Sequence, residues 1–116
     1  MENKFKDDLK SKEVLSLCSN IFYWEKPEKS TAKEYIRWFI LDEKERAFAG
    51  NKALYTEFDI QVDVYSNGNP NTIANTIKST LKSKGYCLLS VENGVSKNGD
   101  IRMYYKTLRF RFNKYN

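Results

Sequence analysis

Between Leu54 and Leu81 the apolar positions change their period once, from two to about four, and that switch marks a strand, a turn and a helix. Phe58, Ile60, Val62 and Val64 share one side of an extended segment, while Glu57, Asp59, Gln61, Asp63 and Tyr65 take the other. This alternation belongs to a half-buried strand. It stops at Ser66-Asn67-Gly68, residues that tolerate turn geometry. Asn69 then precedes Pro70, which predicts an N-cap followed by proline at the first helical position. Ile73, Ile77 and Leu81, with Ala74 beside them, form one narrow apolar face, and Gly85 ends the element. The prediction is a strand from Ala53 and a helix over 70–84.

The rest of the chain reads less sharply. Residues 3–19 predict one helix with an imperfect stripe of Phe5, Leu9, Val14, Leu17 and Cys18. Ile21 to Trp24 is a short strand or an extended connection, and residues 27–32 are loop. Tyr35 to Leu41, aromatic and β-branched, is a strand. The charged residues 42–46 read as a hairpin tip or exposed arm, part of an arm at 42–53. Tyr86 to Val91 is a strand, Glu92 to Asp100 a mobile Gly- and Asn-containing loop, and Arg102 to Phe112 the last strand. In that strand Leu108, Phe110 and Phe112 face the core, and Thr107, Arg109, Arg111 and Asn113 face away.

These elements predict an α+β fold: a mixed, mainly antiparallel sheet of four or five strands with two helices packed on one face. With 116 residues the chain is one domain, 1–116, a helix at about 3–19 followed by a sheet-and-helix core at about 21–113. A hydrophobic content of 41% with 15% aromatic argues for a folded chain. No apolar run approaches the roughly 20 residues of a membrane span, and the N-terminus lacks the apolar stretch of a signal peptide, so no membrane partner is expected. Cys18 and Cys87 fit a reducing, intracellular setting and read as buried small hydrophobes rather than as a disulfide.

Charge is unevenly distributed. Residues 78–116 hold nine basic and two acidic side chains, whereas residues 1–77 hold eleven basic and thirteen acidic. A basic end can mark a nucleic-acid surface, a solvated sheet face, or half of a charge-complementary subunit contact. The basic residues alternate along a strand and form no run, which favours the last two readings.

The chain holds no histidine, which removes most general-base, triad and zinc chemistry. Neither cysteine lies in a Cys-x-x-Cys motif, and no Gly-x-x-x-x-Gly-Lys phosphate loop exists. The expectation is that the protein is not an enzyme and needs no cofactor or metal. Glu57, Asp59 and Asp63 lie on one strand face, about 7 Å per two-residue step. Such a row can hold a divalent cation, but a solvated face is far commoner. Aromatic and basic residues interleave between Arg102 and Phe112, as in single-strand binders. Parity places Phe110 and Phe112 in the core, leaving Tyr105 as the aromatic on the arginine side. The candidate functional surface is therefore the polar sheet face, carried by Arg109, Arg111, Glu57, Asp59 and Asp63.

Tyr55 to Phe112 resembles the tail-completion, or tail-terminator, proteins of long-tailed bacteriophages and prophages of Gram-positive hosts. The resemblance rests on Phe58-Asp59-Ile60-Gln61-Val62-Asp63-Val64-Tyr65-Ser66-Asn67-Gly68-Asn69-Pro70, on the helix with Ile73, Ile77 and Leu81, on Gly85-Tyr86, and on the final strand from Met103 to Phe112. It covers about half the chain and is densest at Gln61–Tyr65 and Tyr105–Phe110. It implies a structural virion protein forming a homo-oligomeric ring, commonly hexameric, at the head-proximal end of the tail. Such a ring caps tail-tube polymerisation and joins the tail to the head connector. The implied partners are a second copy of the chain, the tail-tube protein and the head-completion or connector protein, with DNA passing through without sequence-specific binding. The implied location is the virion, after synthesis in the bacterial cytoplasm. A small basic nucleic-acid-binding module, or another intracellular interaction protein, is the alternative.

Overall fold

The computed structural model describes residues 1–27, 31–98 and 101–116. The middle of the loop expected at 27–32, and residues 99 and 100 of the loop expected at 92–100, lie outside the described residues. Eight elements follow one another: α1 (Glu2–Leu9), α2 (Lys12–Leu17), β1 (Ile21–Tyr23), β2 (Glu34–Ala49), β3 (Lys52–Ser66), α3 (Asn71–Ser83), β4 (Cys87–Asn98) and β5 (Ile101–Tyr115). The five strands form one mixed sheet in the order β1-β2-β3-β5-β4. β1 runs parallel to β2, and the other three pairings are antiparallel.

Three helices cover one face of this sheet, where two were expected. The helix predicted at 3–19 breaks at Lys10 and Ser11. Ser11 caps α2, its hydroxyl accepting from the Val14 amide at 3.3 Å. An N-capping serine offers the backbone a competing partner, and here that ends one helix and starts another. The kink lets Phe5, Leu9 and Val14 all reach the core, whereas Leu17 is left 40% exposed. α3 begins one residue later than the proline signature suggested. Asn69 accepts from the Asn71 amide at 2.8 Å and Pro70 sits just outside the helix.

The helix ends as its sequence demands. Gly85 adopts φ +92°, its amide donates to the Lys82 carbonyl, and the Tyr86 amide donates to the Leu81 carbonyl. These two bonds close a Schellman motif around a left-handed residue. Gly85→Ala is expected to cost about 1–2 kcal/mol, since a β-carbon is strained at that φ; a thermal melt equal to wild type would remove this account.

The core lies between this helical layer and the sheet. Ile36, Trp38, Ile60, Val62, Val64, Leu108 and Phe110 meet Phe5, Leu9, Val14, Ile73, Ala74, Ile77 and Leu81. Aromatic contacts tie α1 to the sheet, with Phe5 5.0 Å from Trp38 and 5.4 Å from Tyr86 between ring centroids. The Tyr86 hydroxyl donates to Asp8 at 2.8 Å. Burial and that carboxylate together keep the phenol protonated well above its ordinary range.

The largest departure from expectation is the length of the strands. Residues 42–46 are not a hairpin tip: β2 continues to Ala49, and the tip falls at Gly50 and Asn51. A bulge between Ile40 and Asp42 shifts the register by one. After it, Asp42, Lys44 and Arg46 stand on the same side as Asp59 and Glu57, and cross-strand ion pairs replace apolar contacts. Residues 92–98, expected as a mobile loop, are the second half of β4, paired with β5 as far as Asn98 and Ile101. Both extensions protrude beyond the helices and bury neither face, so no alternation of apolar residues announces them. They leave the sheet at opposite ends, and the molecule is 57 Å long against 27 and 24 Å across.

Candidate functional site

The helices pack on the Phe110 face, and the opposite face of the sheet carries no covering element among the described residues. That face is built by register. Tyr35, Tyr65 and Tyr105 line up across β2, β3 and β5; Arg37, Asp63 and Thr107 form the next row; Phe39, Gln61 and Arg109 the next; then Asp59 pairs with Arg111. The acids of β3 thus sit between the bases of β2 and β5. Arg111 of the basic part of the sequence meets Glu57 and Asp59 of the acidic part on this surface.

The pairs are explicit. Arg37 Nε donates to Asp63 Oδ2 at 2.7 Å. Arg111 Nε donates to Asp59 Oδ1 at 2.8 Å and lies 3.4 Å from Glu57 Oε1. Arg46 meets Glu57 at 3.4 Å, and Lys44 meets Asp42 at 3.1 Å. The hydrogen bond to Asp59 raises the Arg111 guanidinium above its ordinary value. Burial opposes the charge of Arg37, but its bond to Asp63, with neighbouring Tyr65, outweighs that and holds it charged. Lys44 holds the Asp42 carboxyl below the usual carboxylate range.

Asp63 lies on the polar face where the alternation puts it, yet it is only 1% exposed. Besides Arg37 it accepts from Thr107 at 2.7 Å and from Gln61 at 3.1 Å. Flanking long side chains close over it, so Asp63 is a buried anchor of the face rather than a solvated member of it. Glu57, Asp59, Arg109 and Arg111 remain partly accessible. Arg109 forms no ion pair among the described residues, and its buried Nε has no hydrogen-bond partner. It opens into a shallow hollow of about 380 Å³ shared with Arg37, Asp63, Tyr65, Glu92 and Tyr105.

Sequence reasoning missed the aromatic part of this face. Along β5 Tyr105 stands alone beside the arginines, but pairing brings Tyr65 and Tyr35 alongside. Tyr35 and Tyr65 stack 4.7 Å apart at 9°, and Tyr65 lies 5.4 Å from Tyr105. Arg37 covers the Tyr65 ring at 5.4 Å. Gly94 leaves room for this row, because a β-carbon there would collide with the Tyr105 ring. Trp24, 53% exposed at φ +74°, stacks on Phe39 at 4.9 Å and 8°. Only the β2–β3 register, invisible until strands are paired, could have revealed the tyrosine row.

No family model matches the chain, and no curated protein matches it. A solved structure does. A chain in the structure described as the virion of a native gene transfer agent particle superposes with a TM-score of 0.59 at 15% identity. The match covers 96% of this chain and 91% of the other. The two share a fold. No described helix is long and apolar enough to cross a membrane.

Proposed function

We propose that this protein is a structural component of a phage or prophage virion, a tail-terminator or tail-completion protein that acts by self-association rather than by catalysis. The observation that carries the reading is the likeness of fold, over nearly the whole of both chains, to a component of a virion. The resemblance of Gln61–Tyr65 and Tyr105–Phe110 to tail-completion proteins narrows it to the head-proximal end of the tail. There the chain would form a ring, commonly hexameric in such proteins, stop growth of the tail tube and meet the head connector.

The polar sheet face suits the lining of a channel for DNA. Arg37 and Arg111 are balanced by Asp63, Asp59 and Glu57, so phosphates passing by would meet a largely screened surface instead of a row of free cations. Free arginines would add salt-dependent affinity and slow the passage of a genome. The same balance disfavours the alternative, a basic nucleic-acid-binding module, although the tyrosine row and the unpaired Arg109 keep that reading testable.

Size-exclusion chromatography with light scattering decides between them. The terminator reading expects a discrete multiple of the 13.7 kDa chain, alone or on addition of tail-tube protein. A monomer that shifts with DNA in a salt-dependent way would favour the binding module instead. The double change Arg109→Ala with Arg111→Ala is expected to leave the melting temperature nearly unchanged, because exposed pairs contribute under about 1 kcal/mol. It should alter assembly or the yield of infectious particles; a double variant that unfolds would make these side chains structural.

A further inference from the structure

The sheet has two open edges. Among the described residues β1 pairs only with Ile36–Trp38, so beyond it β2 has no strand on its outer side, and β4 is paired only through β5. Each edge has a stretch that starts after a bulge: Asp42–Ala49, interrupted at Ala47 with φ +54°, follows the irregularity at Leu41, and Ser90–Asn98 follows that at Leu89. The stretches are of similar length, about 25–30 Å at strand rise. Neither contains proline, and both carry exposed apolar side chains, Phe48 at 60% and Val95 at 53%. Long unpaired edges of this kind are templates for another strand.

We infer that the arm Asp42–Ala49 of one copy pairs with the β4 edge Ser90–Asn98 of a second copy, so that the sheet runs on from subunit to subunit. This rests on the self-association proposed above and assigns its surface. Three observations select a second copy as the occupant. First, the pairings β2–β3, β3–β5 and β5–β4 are all antiparallel, so β4 and β2 run in opposite directions. A neighbour related by rotation, with the same face outward and the same strand sense, therefore presents β2 to β4 as an antiparallel partner. Second, the contact joins two different edges, and such head-to-tail contacts generate rings when the rotation closes. The stretches lie at opposite ends of the sheet, so successive subunits are staggered along the strands.

Third, the charges match on both faces. Glu43 and Glu45 pair in register with Phe58 and Thr56 on the helical side, and Lys97 pairs with Arg102 on that same side. Lys44 and Arg46 stand on the polar side, as does Glu92 opposite Thr107. Glu43, Glu45, Glu92 and Lys97 are exposed and form no ion pair among the described residues. Two face-aligned registers use these charges: with Glu43 opposite Lys97, Glu45 lies diagonal to Lys97 and Arg46 diagonal to Glu92; with Arg46 opposite Glu92, Glu43 lies diagonal to Lys97. Opposite charges across strands favour pairing and like charges oppose it.

The test is a charge swap read by light scattering. One variant carries Glu43→Lys with Glu45→Lys, and the other carries Lys97→Glu. Wild type should assemble, each variant alone should self-associate at least tenfold more weakly, and an equimolar mixture should regain assembly, since each then offers the edge the other needs. Restoration on mixing also shows that both variants are folded. Variants that assemble alone like wild type, or monomers that mixing does not restore, would overturn the edge contact while leaving the ring reading standing. A wild-type chain that stays monomeric at every concentration, with and without tail-tube protein, would overturn both.

Discussion

Phe110→Ala is expected to destabilise the fold by about 3–5 kcal/mol, a drop of well over 10 °C in a domain of this size. Phe110 is fully buried, opposite Ile60 on one side and Leu88 on the other, beneath the helical layer. Truncation leaves a cavity that rigid neighbours on two paired strands cannot fill. Ile77→Ala, equally buried on α3, should cost about 2–5 kcal/mol. Phe112 provides the contrast. It shares the parity of Phe110 but lies at the margin, against Tyr86 at 4.8 Å and beneath the Lys4 ammonium at 4.7 Å. Its truncation should cost clearly less. Melting curves of Phe110→Ala and Ile77→Ala that overlay wild type would remove the core assignment.

That the core was legible follows from how burial acts on sequence. Ile60, Val62 and Val64 are apolar because one face of β3 is dry, and Ile73, Ile77 and Leu81 because one stripe of α3 is, so both periods are written in the residues. The turn at Asn69-Pro70, which misses the helix start by one residue, and the stop at Gly85 are local chemistry and can be read from neighbours. Elsewhere the signal fades for physical reasons. Lys10 and Ser11 break the N-terminal helix at a capping serine inside a stretch that otherwise has helical spacing. The arm to Ala49 and the ribbon beyond Glu92 are strands without a buried face, so their pairing rests on backbone bonds and cross-strand ions instead of apolar alternation. The polar face of Arg109, Arg111, Glu57 and Asp59 could be placed on one side of a strand, but not its partners. Arg37, Tyr35 and Phe39 join it only through the antiparallel register with β3.

Asp63→Ala is expected to cost about 2–4 kcal/mol, far more than any exposed member of the same face. The carboxylate accepts from Arg37 at 2.7 Å, Thr107 at 2.7 Å and Gln61 at 3.1 Å, in a site that is almost closed to water. Its removal strands the Thr107 hydroxyl, itself 8% exposed, and leaves Arg37 without its counter-charge. A buried group deprived of its partner bears the whole desolvation cost, whereas the exposed Arg111 can turn to solvent. Arg37 is partly open to water, which keeps the figure below that of a fully buried pair. Arg37→Ala should therefore cost less than Asp63→Ala, because the aspartate retains Thr107 and Gln61. A double-mutant cycle on the two positions should return a coupling of about 1–3 kcal/mol. If Asp63→Ala melts within about 0.5 kcal/mol of wild type, the carboxylate is not an anchor. The row Glu57, Asp59 and Asp63 would then return to being one functional surface, as the alternation along β3 first suggested.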